Sequence, residues 1–209
     1  MFEPIHTTLN QKEDSLHDDR LRWRSFKAGN RQSFSFLYEK YYSVLYNYGF
    51  HLIQDKDLVK DCLHDLFFYL WTHKEQVVEP NSVKSYLFTA FKRRLIDASQ
   101  NKKRFLYNQP ETDFEIIVSF EQEMVDEQTQ AENIQKLQQA INQLTKRQRE
   151  AIFLRYFENM SYEEIASVME CDINSLYVLM SRAVDSLRKS YCWPVFLLWI
   201  SSLHPHHSI

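Results

Sequence analysis

The side chains able to do chemistry in this 209-residue chain fall into three groups. Asp61 and Asp65 stand one helical turn apart, with His64 and Phe68 in the same run, DLVKDCLHDLFFYLW. Two carboxylates at that spacing share a helix face and can receive a basic partner or simply meet solvent. His64 has no second ligand at helical spacing, so this run offers no metal site. Between Ser82 and Arg104, seven cations (Lys84, Lys92, Arg93, Arg94, Lys102, Lys103 and Arg104) stand against one acid, Asp97, with Tyr86, Phe88 and Phe91 interleaved. Cations neutralise phosphates and rings stack on bases, which suits a nucleic-acid strand. The third group, Asn174, Ser175, Tyr177, Val178, Ser181 and Arg182, carries the amide, hydroxyl, apolar and guanidinium groups that read base edges. No nucleophile or acid–base constellation is found, so neither catalysis nor a cofactor is expected. His204, His206 and His207 form a terminal cluster without other ligands and are read as incidental.

Helices must position all three groups. Two Gly and five Pro in an aromatic-rich chain predict long helices and an all-α fold. Thr145 with Gln148, and Ser161 with Glu164, are capping boxes that open two helices of the third group. The first of these is expected over Lys146 to Phe157. Tyr162, Ile165, Ala166 and Met169 share a face of the second. Glu170, Cys171 and Asp172 interrupt it, Asp172 is an N-cap, and Ile173, Leu176, Met180, Ala183, Val184 and Leu187 resume the period. That outlines a helix-turn-helix whose last helix turns the third group outward. Arg149, Lys189 and the helix starts at Thr145 and Ser161 would hold phosphate.

The first group needs two helical stripes that pack together. One runs over Phe34, Leu37, Tyr38, Tyr41, Leu45, Tyr48 and Leu52 from a start at Ser33. The other, beyond Gln54–Asp57, runs over Leu58, Cys62, Leu63, Leu66, Phe67 and Leu70. After a polar loop, Thr72 to Asn81, a helix from Ser82 buries Val83, Tyr86, Leu87, Ala90, Phe91 and Leu95.

From Phe105 to Gln135 there are eight acids and no Lys or Arg, which reads as an extended tether, with helix returning near Gln130. The boundaries are therefore a loose arm over 1–20, a domain over 21–104, a linker over 105–129, a second domain over 130–190 and a tail over 191–209. The tail carries Trp193, Phe196, Leu197, Leu198 and Trp199, a cluster expected to fold against one domain or a partner. Its helix, roughly 13 Å long, cannot span a hydrocarbon core of roughly 30 Å. Net charge is −3, so DNA binding should lean on local patches and a partner protein. Widely spaced Cys62, Cys171 and Cys192 and a polar start, MFEPIHTTLNQKEDS, point to the cytoplasm.

The run LTKRQREAIFLRYFENMSYEEIASVMECDINSLYVLMSRAVDSLRK resembles region 4 of the extracytoplasmic-function sigma factors, with Glu170 where a glycine is usual and Tyr177 and Leu179 where basic residues are often found. Independently, DLVKDCLHDLFFYLW resembles sigma region 2.2. The resemblance implies that Asp61, His64, Asp65 and Phe68 face the clamp coiled coil of RNA polymerase while Leu66, Phe67 and Leu70 stay in the core. The basic helix resembles regions 2.3 and 2.4, with Thr72 to Ser82 as the loop that traps an extruded base. This implies minus-ten contacts from Asn81, Ser82, Lys84, Tyr86, Lys92 and Arg93. Minus-thirty-five contacts would come from Arg149, Asn174, Ser175, Tyr177, Val178, Ser181, Arg182 and Lys189. The implied partners are core RNA polymerase (clamp and flap), promoter DNA and an anti-sigma factor, without membrane insertion. A LuxR-type activator would need strands in the N-terminal half, which shows none. A helical adaptor or decoy sigma keeps the folds and loses the promoter.

Overall fold

The computed structural model describes residues 18–105, 114–116, 127–189 and 196–197. The expectations for the arm before residue 18, for Cys192, Trp193, Leu198, Trp199 and the three terminal histidines, and for the side chains of Lys103, Arg104 and Ile134 lie outside the described residues. Every regular element among the described residues is helical, and the chain divides into two compact units, Met1–Pro110 and Glu111–Ile209. This is the all-α, two-domain architecture expected.

In the first unit, α1 (18–27), α2 (Arg31–Ile53), α3 (Lys56–Thr72) and α4 (Val83–Phe105) pack around one core. Gly29 takes φ +91°, a left-handed step that ends α1 without steric penalty. The next helix opens two residues earlier than predicted. Asn30 is its cap and accepts from Ser33 N–H at 2.9 Å, so Ser33 is the third helical residue and is buried. Asp55 caps α3 by accepting from Leu58 N–H and also takes a 2.5 Å hydrogen bond from Lys102. That bond from Lys102 holds the Asp55 carboxyl below the ordinary carboxylate range. Val59, and not the predicted Leu58, enters the core beside Leu63 and Leu66. Asp19 is buried, and its carboxylate accepts from Lys40 Nζ at 2.7 Å and from the Tyr41 hydroxyl at 2.5 Å, tying α1 to α2.

Gly49 marks the closest approach in this core. A Cβ at that position would stand 2.7 Å from Phe91 Cε1 and 3.1 Å from Val59 Cγ1. Phe91 is fully buried, so its ring can give way only by moving against the core around it. Gly49→Ala gains about 1 kcal/mol of helix propensity against an overpacking cost of about 1–3 kcal/mol. The expected net result is a lower melting temperature for the first unit. An unchanged or raised melting temperature contradicts this packing.

In the second unit, α5 (Glu127–Asn142), α6 (Lys146–Ile152), α7 (Tyr162–Val168) and α8 (Ile173–Lys189) form the core. Both capping boxes are complete. Thr145 and Gln148 exchange bonds at 2.9 and 3.3 Å, and Ser161 and Glu164 at 2.8 and 3.2 Å. The helix predicted to run to Phe157 stops at Ile152 and widens into a π turn over Phe153–Phe157. Asp172 caps α8 by accepting from Ser175 N–H at 2.9 Å.

The α7–α8 turn explains Glu170. Its φ is +50°, and two bonds, Cys171 N–H to Ala166 C=O at 3.0 Å and Glu170 N–H to Ser167 C=O at 3.3 Å, make a Schellman closure. The position is left-handed, as a glycine there would be, and the paired carbonyls of α7 hold a glutamate in it.

Two segments depart from the sequence reading. An extended linker is not what residues 114–116 form, because Phe114 and Ile116 are both buried in the second unit. Helix also returns at Glu127, three residues before Gln130. Beyond α8, Phe196 is fully buried with its ring edge-on to Tyr156 at 5.5 Å, while Leu197 is exposed. The tail therefore folds onto its own unit at this residue.

Candidate functional site

On α3 the period of the sequence becomes a surface. Cys62, Leu63, Leu66 and Phe67 are buried, and Asp61, His64, Asp65 and Phe68 are exposed on the opposite side. Phe68 is 70% exposed, an unusual placement for a large apolar ring. Flanked by two carboxylates, it makes an apolar anchor with an anionic rim. Cys62 beneath this face is no nucleophile, since burial, with Asp65 and Asp61 nearby, raises its thiol pKa to about 11.

The basic helix α4 presents a different set from the one its sequence suggests. Phe88 and Phe91 are fully buried and cannot stack on bases, because α4 packs against both α2 and α3. Tyr86 is half-buried, edge-on to Trp23 at 5.2 Å, and burial raises its phenol pKa. Ser82 accepts from Ser85 N–H at 3.2 Å, so its hydroxyl caps the helix. Asn81 and Arg93 are exposed, and Lys84 and Lys92 are half-exposed. Beside them lies an aromatic stack not expected from the sequence. The Tyr69 ring lies against His73 at 4.3 Å and under the Arg94 guanidinium at 4.7 Å, and Tyr69 is 40% exposed. Its signal is the Tyr-to-His spacing of four residues across the end of α3, next to a helix rich in arginine.

On α8, Asn174, Ser175, Tyr177, Val178, Ser181, Arg182 and Lys189 are all exposed, and Leu176, Met180, Ala183 and Leu187 are buried. The Tyr177 ring stacks on Tyr162 at 4.4 Å, and Tyr162 lies under Arg155 at 5.1 Å, so Tyr177 is held from behind. The Ser175 hydroxyl donates to the Asp172 carboxylate and serves the helix start as well as the outer face. Asn174, Ser175, Val178, Leu179 and Arg182 line a depression of about 420 Å³, with Val178 as an apolar element between an amide and a guanidinium.

Arg149 does not belong to this face. It is 8% exposed, donating through Nε to Phe114 C=O at 2.6 Å and through Nη1 to Leu144 C=O at 2.9 Å and Asn142 C=O at 3.3 Å. A guanidinium committed to three carbonyls within its own unit is not presented to phosphate. The helix starts at Thr145 and Ser161 are likewise closed by their capping boxes. Among the described residues there is no cluster of His, Cys, Asp or Glu able to hold a metal ion, and no helix is long and apolar enough to cross a membrane.

Residues 37–105 match the family Sigma-70 region 2 and residues 134–187 match Sigma-70, region 4, together more than half of the chain. The extracytoplasmic-function RNA polymerase sigma factor SigX of Bacillus subtilis is 23% identical over 161 residues, spanning 76% of this chain and 83% of that protein. The RNA polymerase sigma-H factor of Pseudomonas aeruginosa is 24% identical over 197 residues, spanning 87% and 95%. Among solved structures, the sigma factor RpoE of Bartonella quintana, in complex with the anti-sigma factor NepR, shares the fold with a TM-score of 0.56 and 21% identity over 77% of this chain and 97% of that one. CnrH, in complex with the cytosolic domain of CnrY, has a TM-score of 0.54 and 17% identity over 82% and 96%.

Proposed function

The chain belongs to the extracytoplasmic-function group of the sigma-70 family, proteins that direct RNA polymerase to specific promoters, and we propose how its own residues divide that work. Asp61, His64, Asp65 and Phe68 dock on the polymerase clamp, the phenyl ring filling an apolar site while the carboxylates meet cations. Asn81, Ser82, Lys84, Tyr86, Lys92 and Arg93 hold the melted minus-ten strand. Tyr69, packed by His73 and Arg94 and partly exposed, adds an aromatic contact beside that strand that Phe88 and Phe91, being buried, do not. Asn174, Ser175, Tyr177, Val178, Ser181 and Arg182 enter the major groove at the minus-thirty-five element, with Lys189 on phosphate. The second unit also leans on the polymerase flap. An anti-sigma partner is proposed because RpoE of Bartonella quintana is held by one. The cytoplasm is the compartment such partners imply.

The observation that carries the promoter reading is the α8 face, where six outward side chains include one charge, Arg182. So little charge gains little salt-dependent phosphate attraction, so discrimination must come from base edges. Arg182→Ala is expected to cost about 1–3 kcal/mol at one promoter position, as for a lost bidentate contact to guanine. Promoter activity across single-base variants measures this. An even loss over all sequences would make Arg182 a phosphate contact, and no loss would remove it from the site.

A further inference from the structure

We infer that Tyr162 is a positioning residue for promoter reading: it holds the Tyr177 ring on the outer face of α8, where that ring selects thymine through its 5-methyl group. The inference rests on the reading that α8 enters the major groove at the minus-thirty-five element. The Tyr177 and Tyr162 rings stack at 4.4 Å with 25° between their planes, and the Arg155 guanidinium lies over Tyr162 at 5.1 Å. Arg155 is itself fixed, donating through Nη1 to Met160 C=O at 2.7 Å in the connection that leads into α7. Three elements therefore contribute to one column. The π turn supplies Arg155, the first residue of α7 supplies Tyr162, and α8 supplies Tyr177. A stacked pair of this kind favours its rotamers by about two- to tenfold, and a tyrosine loses little freedom on being fixed. The Tyr177 ring thus meets DNA already placed.

The chemistry of this face selects the base. Tyr177 and Val178 are 49% and 51% exposed and adjacent on α8, with Leu179 half-exposed beside them. No charged side chain lies between Asp172 and Arg182. Every base pair displays hydrogen-bonding groups in the major groove, and the apolar group displayed there is the thymine methyl. An apolar ring delivered to the groove gains by covering that methyl and loses by covering a donor or acceptor that it leaves unpaired. Neither the Tyr162 nor the Tyr177 hydroxyl forms a hydrogen bond to another described residue, so stacking, and not the hydroxyl, fixes the Tyr177 ring. A lysine or arginine at position 177 would instead bring a charge on a flexible stem, suited to phosphate or guanine and indifferent to a methyl.

The test uses the full chain with core polymerase on a promoter mapped from this chain's own start sites. Each thymine of the minus-thirty-five element, on either strand, is replaced singly by deoxyuridine, which deletes the methyl and keeps every hydrogen-bonding group. Run-off transcription at limiting protein is read as the ratio between the thymine and deoxyuridine templates for the same variant, so a change in folded fraction or in polymerase affinity cancels. Wild type should give a ratio of about three to five at one thymine, as for one buried methyl. Tyr177→Ala should bring that ratio to about one. Tyr162→Leu, which keeps apolar bulk and removes the flat ring, should bring it below about two, and Tyr162→Phe, which keeps the ring, should match wild type. Ratios near one at every thymine with wild type, an element without thymine, a wild-type ratio retained in Tyr162→Leu, or a ratio lost in Tyr162→Phe would each overturn the inference while the promoter reading stands. A retained ratio in Tyr162→Leu beside an equal loss on all templates in Tyr162→Phe would make the Tyr162 hydroxyl a phosphate contact instead. Absence of transcripts from every template with wild type would overturn the promoter reading itself, and the inference with it.

Discussion

Asp61→Lys/Asp65→Lys is expected to raise the dissociation constant for core polymerase by two to three orders of magnitude, roughly 3–4 kcal/mol, while the first unit stays folded. Both side chains are exposed on α3 and neither forms an ion pair with another described residue, so reversing them should move thermal stability by no more than about 0.5 kcal/mol. Like-charge contact with a cationic clamp surface costs several kcal/mol, which is why reversal should exceed simple truncation. Phe68→Ala tests the apolar part separately. A ring 70% exposed contributes little to folding, so a loss of core affinity at constant melting temperature would assign it to the interface. Titration of labelled core polymerase with each variant, beside thermal unfolding, gives both quantities. Unchanged affinity in the charge-reversed protein would remove α3 from the docking surface.

The second large effect is expected at Arg149. Its removal leaves the carbonyls of Phe114, Asn142 and Leu144 without their guanidinium donors, and Arg149→Ala should cost about 2–4 kcal/mol. In a unit of this size that corresponds to a fall in melting temperature of roughly 10–20 °C. Arg149→Lys should not restore it, because one ammonium cannot serve the Nε and Nη1 directions of a planar fork. Two-transition unfolding of the full chain should show the second unit shifting and the first unmoved. A melting temperature within about 2 °C of wild type, with promoter activity lost, would return Arg149 to the DNA face.

What was legible in the sequence was local. Caps at Thr145, Ser161 and Asp172 depend on neighbours three residues away, and the faces of α3 and α8 follow from the helical period, so their exposed residues could be named in advance. The Glu170 turn was half legible. The interruption was visible, but its left-handed conformation depends on the carbonyls of Ala166 and Ser167. What failed was long-range. Phe114 meets Arg149 across 35 residues, and an acidic composition concealed two apolar residues able to reach a core. Arg149 looked like a phosphate ligand because its charge was visible and its burial was not. Phe88 misled for a related reason: α4 is covered on two sides, and a single-stripe reading that places Phe91 inward leaves Phe88 outward. Tyr69 was overlooked because it acts with Arg94 from another helix.

The most direct measurement of the central claim is run-off transcription by purified core polymerase on templates carrying the upstream regions of start sites mapped after overexpression of this chain. Discrete transcripts are expected with wild type from templates sharing two upstream elements, none with Asp61→Lys/Asp65→Lys, and a base-specific defect with Arg182→Ala. Tight binding to core polymerase without transcripts from any such template would contradict that claim and leave an adaptor or decoy in place of a promoter-selecting factor.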